Sequence, residues 1–181
     1  MKKINIIAGI IVLCMFIWHS AAACTYLLGI TGYSEVFDKS GRILFTLAFI
    51  HIVINVAARI KVASRTRKLT GYPSLWVSTY LQNISGYFII GLMPLHLVFA
   101  EITKHAPSAQ AEVARFVIES LFYVCLSIHI FYAVEHMLIT FGIITDKKRF
   151  GRAKIAIAAA VSFALVMLVI ADGTYNLRCL L

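Results

Sequence analysis

Residues 80–101 read YLQNISGYFIIGLMPLHLVFAE, an apolar run of membrane-crossing length with one imidazole, His96, near its far end. A helix rises about 1.5 Å per residue, so roughly 20 apolar residues span a hydrocarbon core of about 30 Å. An ionisable side chain at that depth costs a few kcal/mol on insertion scales, and it therefore faces the interior of a bundle and finds a partner there. His96 is not alone. His19, His51 and His129 stand singly in three other apolar runs. A lone histidine of this kind is explained by a bond to a neighbouring helix, whereas four helices with one inward histidine each are able to clamp two metal centres.

Composition points the same way. The 181 residues are 61% hydrophobic with a mean hydropathy of +0.87, too little polar surface to coat a water-soluble globule. The chain reads as an integral membrane protein with short loops and no room for a soluble catalytic domain. Chemistry on a polar substrate is therefore expected in a partner. The formal charge of +9 resembles a nucleic-acid signature until the cations are placed along the chain, where they mark topology. Cys14, Cys24, Cys125 and Cys179 form no CxxC and no CxxCH, which excludes covalent c-type haem attachment and offers no zinc or iron–sulfur spacing.

The apolar runs predict five helices, approximately 4–30, 43–59, 77–100, 116–144 and 155–171. The first run has a signal-peptide look, with Ala21–Ala23 before Cys24. Its apolar character continues through Tyr26, Leu27, Leu28 and Ile30, however, beyond the ~7–15 residues of a secretory core, and cleavage would discard His19. Cations concentrate on the cytoplasmic side of membrane proteins. Lys2 and Lys3, the second connection (Arg59, Lys61, Arg65, Arg67, Lys68) and the fourth (Lys147, Lys148, Arg149, Arg152, Lys154) hold twelve of the 17 Lys and Arg. Lys39, Arg42, Lys104, Arg115 and Arg178 make up the rest. Five spans with a cytoplasmic N-terminus put every rich segment on one face. Gly9, Gly29, Gly86 and Gly91 fall in the spans, where small residues let helices or a flat cofactor approach, and Pro94 stands two residues before His96.

Depth then pairs the histidines. His51 and His129 lie near the midpoints of runs 2 and 4, while His19 and His96 lie past the midpoints of runs 1 and 3 toward the opposite face. No Cys, Asp or Glu is expected to join either pair in the apolar core, which leaves a zinc or di-iron carboxylate site short of ligands. Two imidazoles on opposite faces of one iron suit haem b, whose porphyrin supplies the other four positions. Phe45, Phe49, Phe88, Phe122 and Tyr123 are candidates to pack the porphyrin edge, although such residues equally make plain core. Arg59, two turns beyond His51 on nearly the same face, is placed for a propionate, with positive-inside labelling as the alternative. His136 shares the face of His129 and is a candidate for a propionate or a quinone. His105 reads as a solvated loop residue.

These blocks resemble a known family. From His51 through a basic loop to Tyr72 and on through LQNISGYFIIGLMPLH to His96, and again over IHIFYAVEHMLITFGIITDKKR from His129's helix into the next loop, the chain is similar to the five-helix, two-haem cytochrome b anchor of bacterial succinate dehydrogenases and menaquinol:fumarate reductases. The resemblance implies an all-α membrane protein in which helices 1–4 form the haem-binding bundle, His51 and His129 hold the haem nearer the cytoplasm, and His19 and His96 hold the distal one. It further implies menaquinone as redox substrate, a flavoprotein and an iron–sulfur subunit as cytoplasmic partners, and the bacterial cytoplasmic (inner) membrane as location. Two departures stand out. Asn83 occupies a place where relatives often carry arginine, and Ser127 one where some fumarate reductases place a glutamate.

The expected function is thus electron transfer between the iron–sulfur subunit and quinone, with no bond of succinate made or broken by this chain. A two-haem anchor for another dehydrogenase or a hydrogenase, and a haem-free transport or structural protein, are the alternatives. For the quinone, Glu35 after helix 1 is preferred over Asp38 and Glu101. A site on the other side near Tyr80, Ser85 and His136 is its rival.

Overall fold

The structure, a computed structural model, describes residues 2–63, 73–106, 108–143 and 147–180, with side chains described over 4–58, 77–106, 108–143 and 148–180. The described residues form an all-helical protein of five helices: α1 (Lys2–Leu27), α2 (Glu35–Ala63), α3 (Pro73–His105), α4 (Ala109–Thr140) and α5 (Lys147–Leu180). All five are long and apolar enough to cross a membrane.

The helix ends depart from the ends of the apolar stretches because local signals, not hydropathy, set them. α1 stops where Gly29 takes a φ of 75°, with the Ile30 N–H bonded to the Thr25 carbonyl and the Gly29 N–H to that of Tyr26. That is the Schellman arrangement, which needs a left-handed residue just past the helix. Gly142, φ 67°, ends α4 in the same way through Ile143 to Leu138 and Gly142 to Ile139. Ser34 opens α2 by accepting the Phe37 N–H at 3.2 Å, and Ser108 opens α4 by accepting that of Ala111 at 3.2 Å, both as N-caps. Consequently Glu35, Asp38, Lys39 and Arg42 lie in the first turns of α2, and Arg115 lies inside α4. The sequence had placed all of these in loops. Lys104 and His105 close α3, and the cations from Lys148 to Lys154 belong to α5.

The chain divides into two units, Met1–Gly71 and Tyr72–Leu181. In the first, α1 packs against α2; in the second, α4 packs against both α3 and α5. Burial is the reverse of that in a soluble domain. Among the described residues only Leu27, Tyr123, Leu168 and Ala171 are buried hydrophobics, whereas Ser78, Ser85, Glu112, Arg115, Glu119, Glu135, Asp172 and Asn176 are buried, and Ile4, Ile11, Trp18, Phe49, Phe88 and Phe163 are exposed. Polar groups turned inward and bulky apolar groups turned outward is the arrangement that a lipid solvent favours. The chain is accordingly read as a multi-pass membrane protein.

In the second unit, α4 and α5 are tied at two levels. Arg115 meets Asp172 at 2.7 Å and Lys154 approaches Glu135 at 3.6 Å. The twenty residues from Arg115 to Glu135 correspond to about 30 Å of helix, the thickness of a hydrocarbon core.

Candidate functional site

In the first unit the two histidines interlock with glycines of the facing helix. A Cβ on Gly41 of α2 would stand 3.1 Å from Cε1 of His19 on α1, and a Cβ on Gly9 of α1 would stand 3.4 Å from Cε1 of His51 on α2. His19 is thus level with residue 41 and His51 with residue 9. Either helix then gives the same separation, ten residues, or about 15 Å along the axis.

His19 is also fixed in orientation and tautomer. Its ring stacks on Phe37, with centroids 5.0 Å apart and planes within 2°. Nδ1 lies 3.2 Å from the Ser40 hydroxyl, which donates its own hydrogen to the Phe37 carbonyl at 2.7 Å. Ser40 Oγ therefore accepts, Nδ1 carries the proton, and the lone pair of the ring is on Nε2. His51 differs, because its Nδ1 is buried and has no hydrogen-bond partner.

The second unit repeats the spacing. A Cβ on Gly86 of α3 would stand 3.2 Å from Cε1 and 3.3 Å from Nδ1 of His129 on α4. His96 follows residue 86 by ten positions on α3, again about 15 Å along the helix. His129 Nδ1 donates to the Gln82 carbonyl at 3.0 Å. A carbonyl only accepts, so here too the lone pair is on Nε2. His96 stacks on Phe122 of α4, with centroids 5.4 Å apart and planes within 10°. All four rings are only partly buried.

An acidic partner that the sequence reading did not anticipate reaches His96. Glu119 Oε1, on α4, lies 3.5 Å from His96 Nδ1. Its other oxygen, Oε2, accepts from Arg115 Nη1 at 3.0 Å and from the Tyr123 hydroxyl at 3.0 Å. Arg115 also holds Glu112 at 3.1 Å and Asp172 at 2.7 Å, and its guanidinium lies over the Tyr175 ring at 4.9 Å. Asn176 donates to the Glu112 carbonyl at 2.7 Å. Arg115, Glu119 and Asp172 are 4%, 3% and 0% exposed, so this is a fully desolvated ion cluster, viable only because each charge has partners. The expectation that no carboxylate joins the histidines in the apolar core is corrected on this point.

The remaining candidates are placed as follows. His136 is engaged at both nitrogens, with Nδ1 2.8 Å from the Gln82 side-chain oxygen and Nε2 3.0 Å from the Ser78 hydroxyl, which makes it a tether between α4 and α3. Ser85 is buried and turns its hydroxyl onto its own helix, at 2.8 Å from the Leu81 carbonyl and 3.0 Å from that of Gln82. Glu35 is exposed and paired with Lys39 at 2.7 Å. Glu101 is exposed and paired with His105 at 2.8 Å, so His105 belongs to the last turn of α3 instead of a loop. Phe122 and Tyr123 reach the His96 region, whereas Phe49 and Phe88 face outward. The Arg59 side chain lies outside the described residues.

Each unit thus offers two imidazoles at two levels; His19 and His129 are oriented by hydrogen bonds that place a lone pair on Nε2, and His96 by stacking on Phe122. Compared with family models, with curated proteins and with solved structures, the chain matches none.

Proposed function

We propose that this chain is a two-haem cytochrome b anchor: it binds two haems b between membrane helices and passes electrons between a docked iron–sulfur subunit and menaquinone. The observation that carries the reading is the common ten-residue offset of the histidine levels in both units, His19 to His51 and His96 to His129. Two flat cofactors at two depths call for two histidine levels at a constant separation, and each unit shows that separation. Histidines that served only as interhelical bonds would have no such constraint. The pairing is the one read from depth in the sequence, His51 with His129 and His19 with His96.

The donor set fits the cofactor. Haem b ligated by two imidazoles exchanges one electron at a time and has no open position for oxygen. His19 and His129 are held by Nδ1–H bonds to Ser40 and to the Gln82 carbonyl, the outer support that orients a ligating imidazole and sets its tautomer. Phe37 and Phe122 fix the planes of His19 and His96 by stacking. His51 brings a buried Nδ1 that makes no hydrogen bond. Gly9, Gly41 and Gly86 give the rings space that a larger residue would fill.

The further assignments follow the family resemblance: a flavoprotein and an iron–sulfur subunit docked on a cytoplasmic face rich in Lys and Arg, a bacterial inner membrane, an N-terminus inside, and quinone chemistry near Glu35 as the preferred site. The test is the dithionite-reduced spectrum of membranes containing the chain, with haem quantified per chain. Two b-type haems are expected. His51→Ala and His129→Ala should remove one spectral component, and His19→Ala and His96→Ala the other. Absence of a b-type α-band refutes the reading in favour of a haem-free membrane protein.

A further inference from the structure

We infer that Glu119 is the positioning residue for His96: it accepts the Nδ1 hydrogen of that imidazole, turns the Nε2 lone pair toward the iron, and lowers the potential of the haem held there. The inference rests on the haem reading of His96 and adds to it a residue on a different helix. His96 Nδ1 is buried and bonds to no other group, and Glu119 Oε1 stands 3.5 Å away, just beyond the ~2.7–3.2 Å of a settled N–H···O bond.

The carboxylate is aimed by its other contacts. Oε2 is occupied by two donors, Arg115 Nη1 and the Tyr123 hydroxyl, which leaves Oε1 turned to the ring. Phe122, one turn along α4 from Glu119, lies flat against the same imidazole, so α4 fixes both the plane of His96 and the direction of its N–H. Arg115 is itself anchored by Glu112 and Asp172. A bare carboxylate in an apolar helix is costly, and this one is surrounded by groups that hold it in one orientation.

The chemical consequence separates His96 from His19 and His129. Their Nδ1 partners are a serine hydroxyl and a backbone carbonyl, both neutral, whereas that of His96 is an anion. A carboxylate acceptor makes the imidazole a stronger donor, which favours the ferric over the ferrous iron; hydrogen bonding behind an axial ligand is one of the ways a protein tunes a haem.

The experiment is a redox titration of the α-band in the assembled complex, comparing wild type with Glu119→Gln and Tyr123→Phe. Glutamine keeps an acceptor oxygen and removes the charge, so the midpoint of one haem should rise while the other is unchanged and haem content is retained. Tyr123→Phe withdraws a donor from Oε2, leaves more negative charge for His96, and should shift the same haem downward. Opposite shifts confined to one haem are what a merely structural role for Glu119 would not produce. If Glu119→Gln fails to assemble, the downward shift in Tyr123→Phe supports the inference alone and its absence overturns it. Full haem content with unmoved midpoints in both variants overturns the role of Glu119 and leaves the haem reading standing. A wild-type chain without haem overturns both.

Discussion

Alanine at Gly86 and alanine at Gly91 should move stability in opposite directions, although the two glycines are five residues apart on one apolar helix. At Gly91 an added Cβ meets nothing within 4 Å, so the substitution collects only the helix preference of alanine over glycine, about 0.8–1.0 kcal/mol. At Gly86 the new Cβ would stand 3.2 Å from His129 Cε1 and 3.3 Å from Nδ1. The ring must withdraw, and it cannot do so freely, because Nδ1 donates to the Gln82 carbonyl at 3.0 Å. Overpacking of this kind costs roughly 1–3 kcal/mol and the strained hydrogen bond about 1 kcal/mol more, against the same helix gain, so Gly86→Ala should come out roughly 1–3 kcal/mol destabilised. The assay is thermal unfolding of the purified chain in detergent, with both variants beside wild type. Gly41→Ala, at 3.1 Å from His19, should resemble Gly86→Ala, and Gly9→Ala, at an ordinary 3.4 Å from His51, should be milder. Equal shifts of the same sign for Gly86→Ala and Gly91→Ala would refute the contact between His129 and Gly86.

Arg115→Met leaves Glu112, Glu119 and Asp172 without their guanidinium, and loss of one partner from a buried ion cluster costs about 3–5 kcal/mol; unfolding in detergent and proteolysis between α4 and α5 would both report it. Adding Asp172→Leu to that variant should recover part of the loss, and no recovery would show that Asp172 is not partnered by Arg115. Gln82→Ala removes the side-chain oxygen that His136 uses but keeps the backbone carbonyl that His129 uses, so it should cost about 1 kcal/mol and leave the haem signal assigned to His129 unchanged. If the chain is the proposed anchor, Glu35→Gln should depress quinone-linked turnover of the assembled complex while succinate oxidation with an artificial acceptor persists; unchanged quinone turnover discards Glu35.

The number and type of helices were legible because a lipid solvent forces long apolar runs, and no competing fold satisfies their backbone groups. The ends were not, because caps are chemistry of one or two residues. Ser34 and Ser108 extend α2 and α4 toward their N-termini, and Gly29 and Gly142 cut α1 and α4 short through a left-handed residue. Within each unit the level of a histidine against the facing helix does not depend on such shifts, since it is set by the neighbours across the interface and not by where the helix begins. The glycine pattern was half legible: Gly9 and Gly86 do face histidines, Gly91 faces nothing within 4 Å, and Gly29 serves a turn. Gly41 was missed because residues 35–42 were read as loop.

The same boundary error hid the ion cluster. With a helix begun at Phe116, Arg115 is one more loop cation and Glu119 a stray acid in an apolar run. Begun at Ala109, the helix carries Glu112, Arg115 and Glu119 at spacings of three and four, one stripe on one face, with Asp172 and Asn176 four apart on α5 as its counterpart. The stripe was therefore present in the sequence and needed only the Ser108 cap to be recognised. Moving Arg115 from loop to core also alters the charge count that orients the chain. Arg115 is 4% exposed and shared among three carboxylates, so it no longer belongs among the cations of the sparse face. The orientation proposed above, with the N-terminus inside, then rests on a count of twelve cations against four.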